Sequence, residues 1–522
     1  MHISRMYRIR LVGEGALVGL GVGAVIALYR FLLSHAEELM RAITQALLGA
    51  GVLFVAWFAV LALICFVVDR LMVFEPYTQA SGIPQIDAEV AGRIHMPWHR
   101  VVPVKLVEGV FCAFAGLSLG REGPSVLLGG MTAKGVSKLV ARVTGAGGSG
   151  HERLLVTCGA AAGMSAAFHA PLTGVLFAVE EIHKEFSTAL IISVMTSSVV
   201  ADFVSSQLLG ESPVIHVMVY QTAPHSLYPA VLLMGVVCGL LGFVHNRGMF
   251  FVQDRLYGPF ERHTPFVRMA LPFLLAGVVA FVWPDLLCGG DAILERLSDV
   301  RAETLATLCA LLVGKYVFTT LCFGSGAPGG TLFPLVVMGA LVGAIYGICS
   351  SSIAGVPDLY ENGFVVLGVA GLFSAVIQAP VTAVVLVFEL TGSLEALLAT
   401  SVVSIVAFVV STLLKNDAFY EHLYARLIGG LHVSSAGERY LQGHQIIRNH
   451  VVGVGSAADG RLVRDVSWPE GALVVTMREA GKKKVVAGDT RITALSELSV
   501  VMDEVDEQRI ESELKRLLSP EG

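Results

Sequence analysis

Arg121 and Glu122 sit side by side between glycines in "LSLGREGPSVLLGG", a stretch otherwise apolar enough for a membrane. Ionisable side chains at membrane depth are expensive and mark function by default. Pro124 follows two residues later, and proline is tolerated in the first turn of a helix, where its missing N–H has no partner to lose. Glu122 is therefore expected at a helix start. Such a start leaves backbone N–H groups unpaired at the positive end of the macrodipole, which favours a small anion. A carboxylate there can occupy the place of an anion and vacate it on protonation. A salt bridge to Arg121 or an ordinary N-terminal cap is the competing reading.

Two further stretches, "ASGIPQIDAEV" and "GSGAPGGTLFPLVVMG", repeat the device of glycines and a proline ahead of an apolar helical run. Three or four such termini pointing inward would replace the hydration shell of an anion without a full cationic charge. A second carboxylate, Glu181 in "AVEEIHKEF", closes an apolar helix and is followed by His183, Lys184 and Glu185. It could collect protons beside the anion route and pass them through water to Glu122, or it could be a solvated helix end carrying a charge run.

The elements that must position these groups are membrane helices. Of 522 residues, 54% are hydrophobic and 15% charged, with a mean hydropathy of +0.71, whereas an ordinary globular domain is roughly 25% charged. A spanning helix needs roughly 20 apolar residues, and the windows 11–33, 51–68, 187–209, 227–244, 305–323 and 363–388 qualify, as a minimum. The opening "MHISRMYRIR" places the basic end of a retained first helix in the cytoplasm by the positive-inside rule. Eight cysteines in apolar surroundings without C-x-x-C spacing are expected to be small core residues, not metal ligands or disulfides. A formal charge of -6 gives no reason to expect a nucleic-acid partner.

Two distant stretches match each other. "GREGPSVLLGG" and "CGAAAGMSAAFHAPLTGVLFAVEEI" correspond to "GGTLFPLVVMG" and "LGVAGLFSAVIQAPVTAVVLVFELT". Pro124 falls opposite Pro334, Ser165 opposite Ser374, Ala170-Pro171 opposite Ala379-Pro380, Thr173 opposite Thr382 and Glu180 opposite Glu389. Gly/Pro-interrupted apolar segments at corresponding places are the mark of a transporter built from two repeats, with its site near the midplane.

Charge density rises near Gly443: the last 80 residues hold 11 Lys/Arg and 13 Asp/Glu. This tail is expected to be a separate soluble unit, with strands over "ALVVTM", "KKKVV" and "ELSVVMD", a turn at "AGDTRI" and a helix over 506–518. Its "WPEGALVVTMREAGKKKVVAGDTRI" resembles the TrkA-C (RCK-C) domain of prokaryotic transporters and channels.

The membrane part resembles the CLC family of chloride channels and chloride/proton antiporters. The residues that carry the likeness are "ASGIPQID", "RVVPVKL", "GREGP", "FHAPLTGVLFAVEEI", "GSGAPGGTLFP" and "FYEHLYARL", in the family's order. The resemblance implies a central chloride held by the Ser81 hydroxyl, the Tyr420 hydroxyl and the backbone N–H groups of Thr331 and Leu332. It implies an outer site at Glu122, the gating glutamate, with Arg121 and Gly123. Glu181 matches the family's internal proton-transfer glutamate, whose presence favours exchange over passive conduction. Serine at position 81 looks like the chloride-preferring members. Three departures stand out. Leu332 replaces a phenylalanine and Phe333 is displaced by one position, Ala80 replaces a usual glycine, and His169 stands where asparagine is common and is expected to be a hydrogen-bonded structural residue.

The reading is an all-α polytopic membrane protein, a CLC-type inverted repeat of broken and tilted helices with a small soluble α+β C-terminal domain. The transport domain covers 1–430, its repeats roughly 10–210 and 225–430, a linker 431–442 and the tail 443–522. The expected function is chloride/proton antiport in the cell (inner) membrane, with N-terminus and tail cytoplasmic and no cofactor beyond bound chloride. A homodimer in the lipid bilayer and a small-molecule ligand for the tail are the implied partners. Competing readings are a passive voltage- or pH-gated chloride channel, a membrane-embedded enzyme using Glu122 with His169 or Arg121, and a ligand sensor on an inert anchor.

Overall fold

Prolines and left-handed residues decide where the helices break. The computed structural model describes residues 5–48, 53–144, 149–183, 188–210, 224–260, 263–354, 356–357, 360–393, 396–434, 445–479, 482–503 and 506–519. The chain divides into two compact units, Met1–Gly430 and Leu431–Gly522.

The first unit is helical. In order it contains α1 (Arg5–Leu47), α2 (Leu53–Phe74), α3 (Ile83–Val90), α4 (Trp98–Phe114), α5 (Glu122–Thr144), α6 (Ser149–Phe168), α7 (Pro171–Phe177), α8 (Thr188–Leu209) and α9 (Tyr228–Phe251). It continues with α10 (Pro265–Val282), α11 (Asp291–Arg296), α12 (Leu305–Gly324), α13 (Leu332–Ala354), α14 (Glu361–Ile377), α15 (Pro380–Thr391), α16 (Leu397–Leu413) and α17 (Phe419–Ser434), the last turn of which, from Leu431, is counted in the second unit. Among the described residues 7 helices are long and apolar enough to cross a membrane, so the protein is a multi-pass membrane protein. Pro265–Val282 and Leu332–Ser352 join the windows recognised in the sequence.

The window 363–388 is not one span, a correction with a local cause. Gln378 takes a left-handed φ of 65°, and Ala379, ahead of Pro380, is extended away from the helical region at φ −116°. The residue before a proline is sterically disfavoured in the α conformation, so α14 ends here and α15 restarts. His169 (φ 55°) and Ala170 (φ −136°) ahead of Pro171 break α6 from α7 in the same way.

The repeat is visible in the backbone. Left-handed residues recur in pairs: Ala80 with Cys288, Gly82 with Gly290, Gly116 with Gly326, and His169 with Gln378. Two fully buried lysines recur as well. Lys105 donates to the carbonyls of Thr78 and Ala80 at 2.7 and 2.6 Å, and Lys315 to those of Leu286 and Cys288 at 3.1 and 2.7 Å. Each ammonium satisfies carbonyls at the end of a short 3-10 turn, Pro76–Thr78 or Pro284–Leu286, groups that would otherwise be orphaned in an apolar interior.

Where α7 and α15 meet, each repeat caps the other. The Glu389 carboxylate accepts from the N–H of Leu172 and from the N–H and hydroxyl of Thr173, at 2.8, 2.7 and 2.6 Å. The Glu180 carboxylate accepts from Val381 N–H and from the N–H and hydroxyl of Thr382, at 3.3, 2.8 and 2.5 Å. Elsewhere small residues bring helices close, as membrane packing favours. A Cβ on Gly15, Gly19 or Gly23 of α1 would fall 2.8, 2.6 or 2.7 Å from a carbonyl oxygen of α8.

Six cysteines are buried, but Cys309 is exposed and Cys349 half-buried, so the expectation that all eight are core residues fails for those two. Their helices, α12 and α13, present them at the surface of the unit.

The second unit has a four-stranded antiparallel sheet in the order β1-β4-β2-β3, with β1 (Gln445–Val451), β2 (Leu473–Glu479), β3 (Lys482–Val485) and β4 (Glu497–Asp503). Met477, Leu498, Val500 and Met502 of the sheet are buried with Ile510, Leu514 and Leu518 of α18 (Glu507–Leu518). The sequence reading misses β1: "QIIRNHV" carries polar residues at positions a half-buried strand would fill with apolar ones, and pairing with β4 along its whole length overrides that.

Candidate functional site

Four helix starts meet inside the first unit. Gly82 precedes α3 with a left-handed φ of 94°, Glu122 opens α5, Leu332 opens α13 and Phe419 opens α17. The loops ahead of α5 and α13 are bonded to each other: Gly120 N–H donates to the Gly330 carbonyl at 2.6 Å, and Gly330 N–H to the Gly120 carbonyl at 2.9 Å. The loop ahead of α3 joins them, with Ala80 N–H donating to the Gly326 carbonyl at 3.1 Å. A Cβ on Gly123 would meet the Ser81 hydroxyl, and one on Gly330 would lie 3.0 Å from the Gly123 nitrogen. Glycine is required at 123 because no side chain fits between these loops.

Ser81, Thr331, Leu332, Glu122 and Tyr420 are all buried. The Tyr420 hydroxyl stands beside the Ser81 and Thr331 side chains and within electrostatic reach of Glu122 and Glu181, with Phe177 edge-on to its ring at 6.2 Å. Neither the Ser81 hydroxyl nor the Tyr420 hydroxyl closes a hydrogen bond to the described residues. Buried hydroxyls are almost always paired. Two such groups facing one point among helix N-termini suit an anion that accepts from both.

Glu122 is fully buried. Its carboxylate faces the Phe333 backbone N–H at the start of α13, and neither oxygen closes a hydrogen bond. Arg121 Nε is 3.9 Å from Oε1, an ion-pair contact too long for a hydrogen bond, so the Arg-Glu pair keeps its charge contact and leaves both carboxylate oxygens without a hydrogen bond. The guanidinium also lies 5.5 Å over the Phe333 ring.

Glu181 occupies a π-helical turn, Ala178–His183, at the end of α7. It is buried at 7% exposure, so it is no solvated helix end. His183 reaches Thr157 at 3.4 Å; Lys184 and Glu185 lie outside the described residues. His169 is held in a polar cluster, against Arg30 at 2.6 Å and Asp202 at 3.1 Å, which fits the structural role expected of it. Sequence reasoning missed the buried Lys105 and Lys315; a lysine in the middle of an apolar helix is the signal that could have found them.

Residues 61–412 match the model of the family described as voltage gated chloride channel. The chain belongs to that family. As a CLC protein it is 31% identical over 359 residues to the H(+)/Cl(-) exchange transporter ClcA of Vibrio parahaemolyticus serotype O3:K6 (strain RIMD 2210633), covering 68% of this chain and 76% of the relative. It is 30% identical over 372 residues to the transporter of the same name from Yersinia pestis bv. Antiqua (strain Angola), covering 70% and 75%. Its fold is similar to the crystal structure of a slow cyanobacterial Cl-/H+ antiporter, with a TM-score of 0.75 and 26% identity over 83% of this chain and 100% of that one. A CLC-type fluoride/proton antiporter shares the fold at a TM-score of 0.65 and 18% identity, covering 78% and 97%. The matched family region holds every CLC site residue named above except Tyr420.

Proposed function

We propose that the protein is a secondary active chloride/proton antiporter. Ser81, Tyr420 and the backbone at Thr331 and Leu332 hold a central chloride, and Arg121, Gly123 and Glu122 form an outer position. Glu122 ionised fills the outer position; protonated, it leaves, and a chloride takes its place. Glu181 receives protons from the other side and passes them through water to Glu122, so proton movement one way is linked to anion movement the other way. The observation that carries this reading is the Glu122 carboxylate, fully buried against a helix start of the opposite repeat with Tyr420 in reach of both glutamates.

Partial charges at helix starts suit a transported ion because they stabilise it without the full cation that would hold it too tightly to release. The test is a reversal potential in proteoliposomes under imposed pH and chloride gradients. An antiporter's reversal potential moves with both gradients; a potential that ignores pH makes the protein a passive channel, and purified protein that carries no chloride points to an enzyme or another cargo.

The same reading takes the protein as a homodimer with one path per subunit, oriented with the N-terminus and tail in the cytoplasm, as the basic opening segment favours. The tail is read as a TrkA-C-like ligand-binding domain, on its α+β build and motif. Removing residues 443–522 and repeating the flux measurement separates a regulatory tail from a dispensable one.

A further inference from the structure

Beside the gate lies a cavity of about 350 Å³ whose walls include Tyr29, Glu37, Gly120, Arg121, Asp291 and Phe333. Its charged lining is Glu37, Glu38, Asp291 and Glu295 against Arg41 and Arg121, an acidic excess. A negatively lined mouth repels an approaching anion and slows its capture. For an anion transporter this charge is a cost, and it calls for a task that carboxylates perform.

The cavity reaches the gate. A Cβ added to Gly120, one of its wall residues, would meet Glu122 Oε2, so the buried and unbonded carboxylate lies directly behind that wall. Asp291 is within electrostatic reach of Glu122, and Glu37 within reach of Asp291. Helix α1 gives the direction. At about 1.5 Å per residue, Glu14, paired with His151, lies about 22 Å before Tyr29, and Glu37 lies about 12 Å beyond it. Tyr29 lies near Glu122, whose charge it senses, and lines the same cavity. Thr157, two turns into α6 from His151, holds His183 of the Glu181 turn. Glu181 thus lies toward the Glu14 end of the gate, and Glu37 and Asp291 toward the other.

We propose that Asp291 and Glu37 are the outer proton-transfer carboxylates, relaying protons between Glu122 and the solution on the face away from Glu181. This rests on the reading of Glu122 as a protonatable gate. When protonated Glu122 gives up its proton, a water in the cavity carries it to the Asp291 carboxylate; Asp291 passes it to Glu37, and Glu37 to bulk water. One proton leaves Glu122 and one enters the solution, and the reverse sequence loads the gate.

The test is paired chloride and proton flux in proteoliposomes for the full chain with Asp291→Asn, Glu37→Gln, Glu38→Gln and Glu122→Ala. The relay expects Asp291→Asn and Glu37→Gln to keep chloride flux while proton flux falls about a hundredfold, with Asp291→Glu and Glu37→Asp restoring it. Glu38→Gln, a rim charge outside the relay, isolates the effect of the field alone. An unchanged proton-to-chloride ratio in both relay variants overturns the proposal. So does an equal effect of Glu38→Gln, or loss of both fluxes in the conservative and non-conservative variants alike. Glu122→Ala that still moves protons against a gradient would overturn the gate itself, a separate outcome.

Discussion

Arg121 lies over the ring of Phe333, 5.5 Å from guanidinium carbon to centroid, so one displaced aromatic ties the cation beside Glu122 to the start of α13. Phe333 is buried, stands 6.2 Å from the Phe168 ring and lines the acidic cavity. Replacing it by Ala opens that wall. Chloride flux should rise while the protein loses about 3 kcal/mol of stability from the emptied volume, checked by flux assay and thermal melting in detergent.

On the proposed reading, Glu122→Ala removes the stopper and the proton carrier together. Chloride flux should persist and proton flux fall by about a hundredfold or more, the scale of losing a positioned acid–base group. Glu181→Ala should give the same split, read as chloride movement without a pH change in proteoliposomes.

The crossed caps at Glu180 and Glu389 are charge-assisted, and each such hydrogen bond contributes about 1.5–3 kcal/mol. Glu180→Gln or Glu389→Gln keeps the shape and removes the charge, so each should destabilise by about 2 kcal/mol. Because the two caps join the same pair of segments, the double variant should depart from the sum of the single losses. Detergent-solubilised melting curves of the three variants check this.

Ala80 sits at φ 52°, where a Cβ costs roughly 1–2 kcal/mol, while its carbonyl accepts from Lys105 at 2.6 Å. Ala80→Gly should relieve that strain and stabilise by about 1 kcal/mol or less after the entropy of the unfolded glycine is counted. Transport should be unaffected; a lower melting temperature contradicts the expectation.

In the tail, burial pulls the His450 imidazole below its ordinary range, with the Glu511 carboxylate 3.7 Å away as the partner that partly opposes it. A group whose folded value is depressed contributes stability that is present above its unfolded value and lost as pH falls through the folded one. The tail should therefore loosen as pH drops below about 6.5. Exchange protection of β1 and α18 peptides, corrected for intrinsic rates, should fall between pH 7.5 and 5.5, and His450→Phe should flatten that dependence.

Much of the site was legible because its devices are backbone devices. Glycines before a proline announce a helix start wherever it falls in the fold, and Gly82, Glu122 and Leu332 stand at such starts. The pairing of Thr173 with Thr382 and Glu180 with Glu389 was legible as spacing. That each glutamate caps the partner repeat's helix was not, because capping across chain segments leaves no local pattern. The window 363–388 misled because hydropathy counts apolar residues and does not register the single left-handed residue, Gln378, that ends α14. Glu37 and Asp291 went unread because each looks like an ordinary helix-surface acid until the fold brings α1 and α11 to one cavity.

The reciprocal caps between α7 and α15 leave no slip plane between the halves of the transport unit. Sliding one half past the other would break six hydrogen bonds to the Glu180 and Glu389 carboxylates at once. On the proposed antiport reading, access from alternate faces then comes from small side-chain excursions within a stationary frame, and turnover follows how far the Glu122 carboxylate swings.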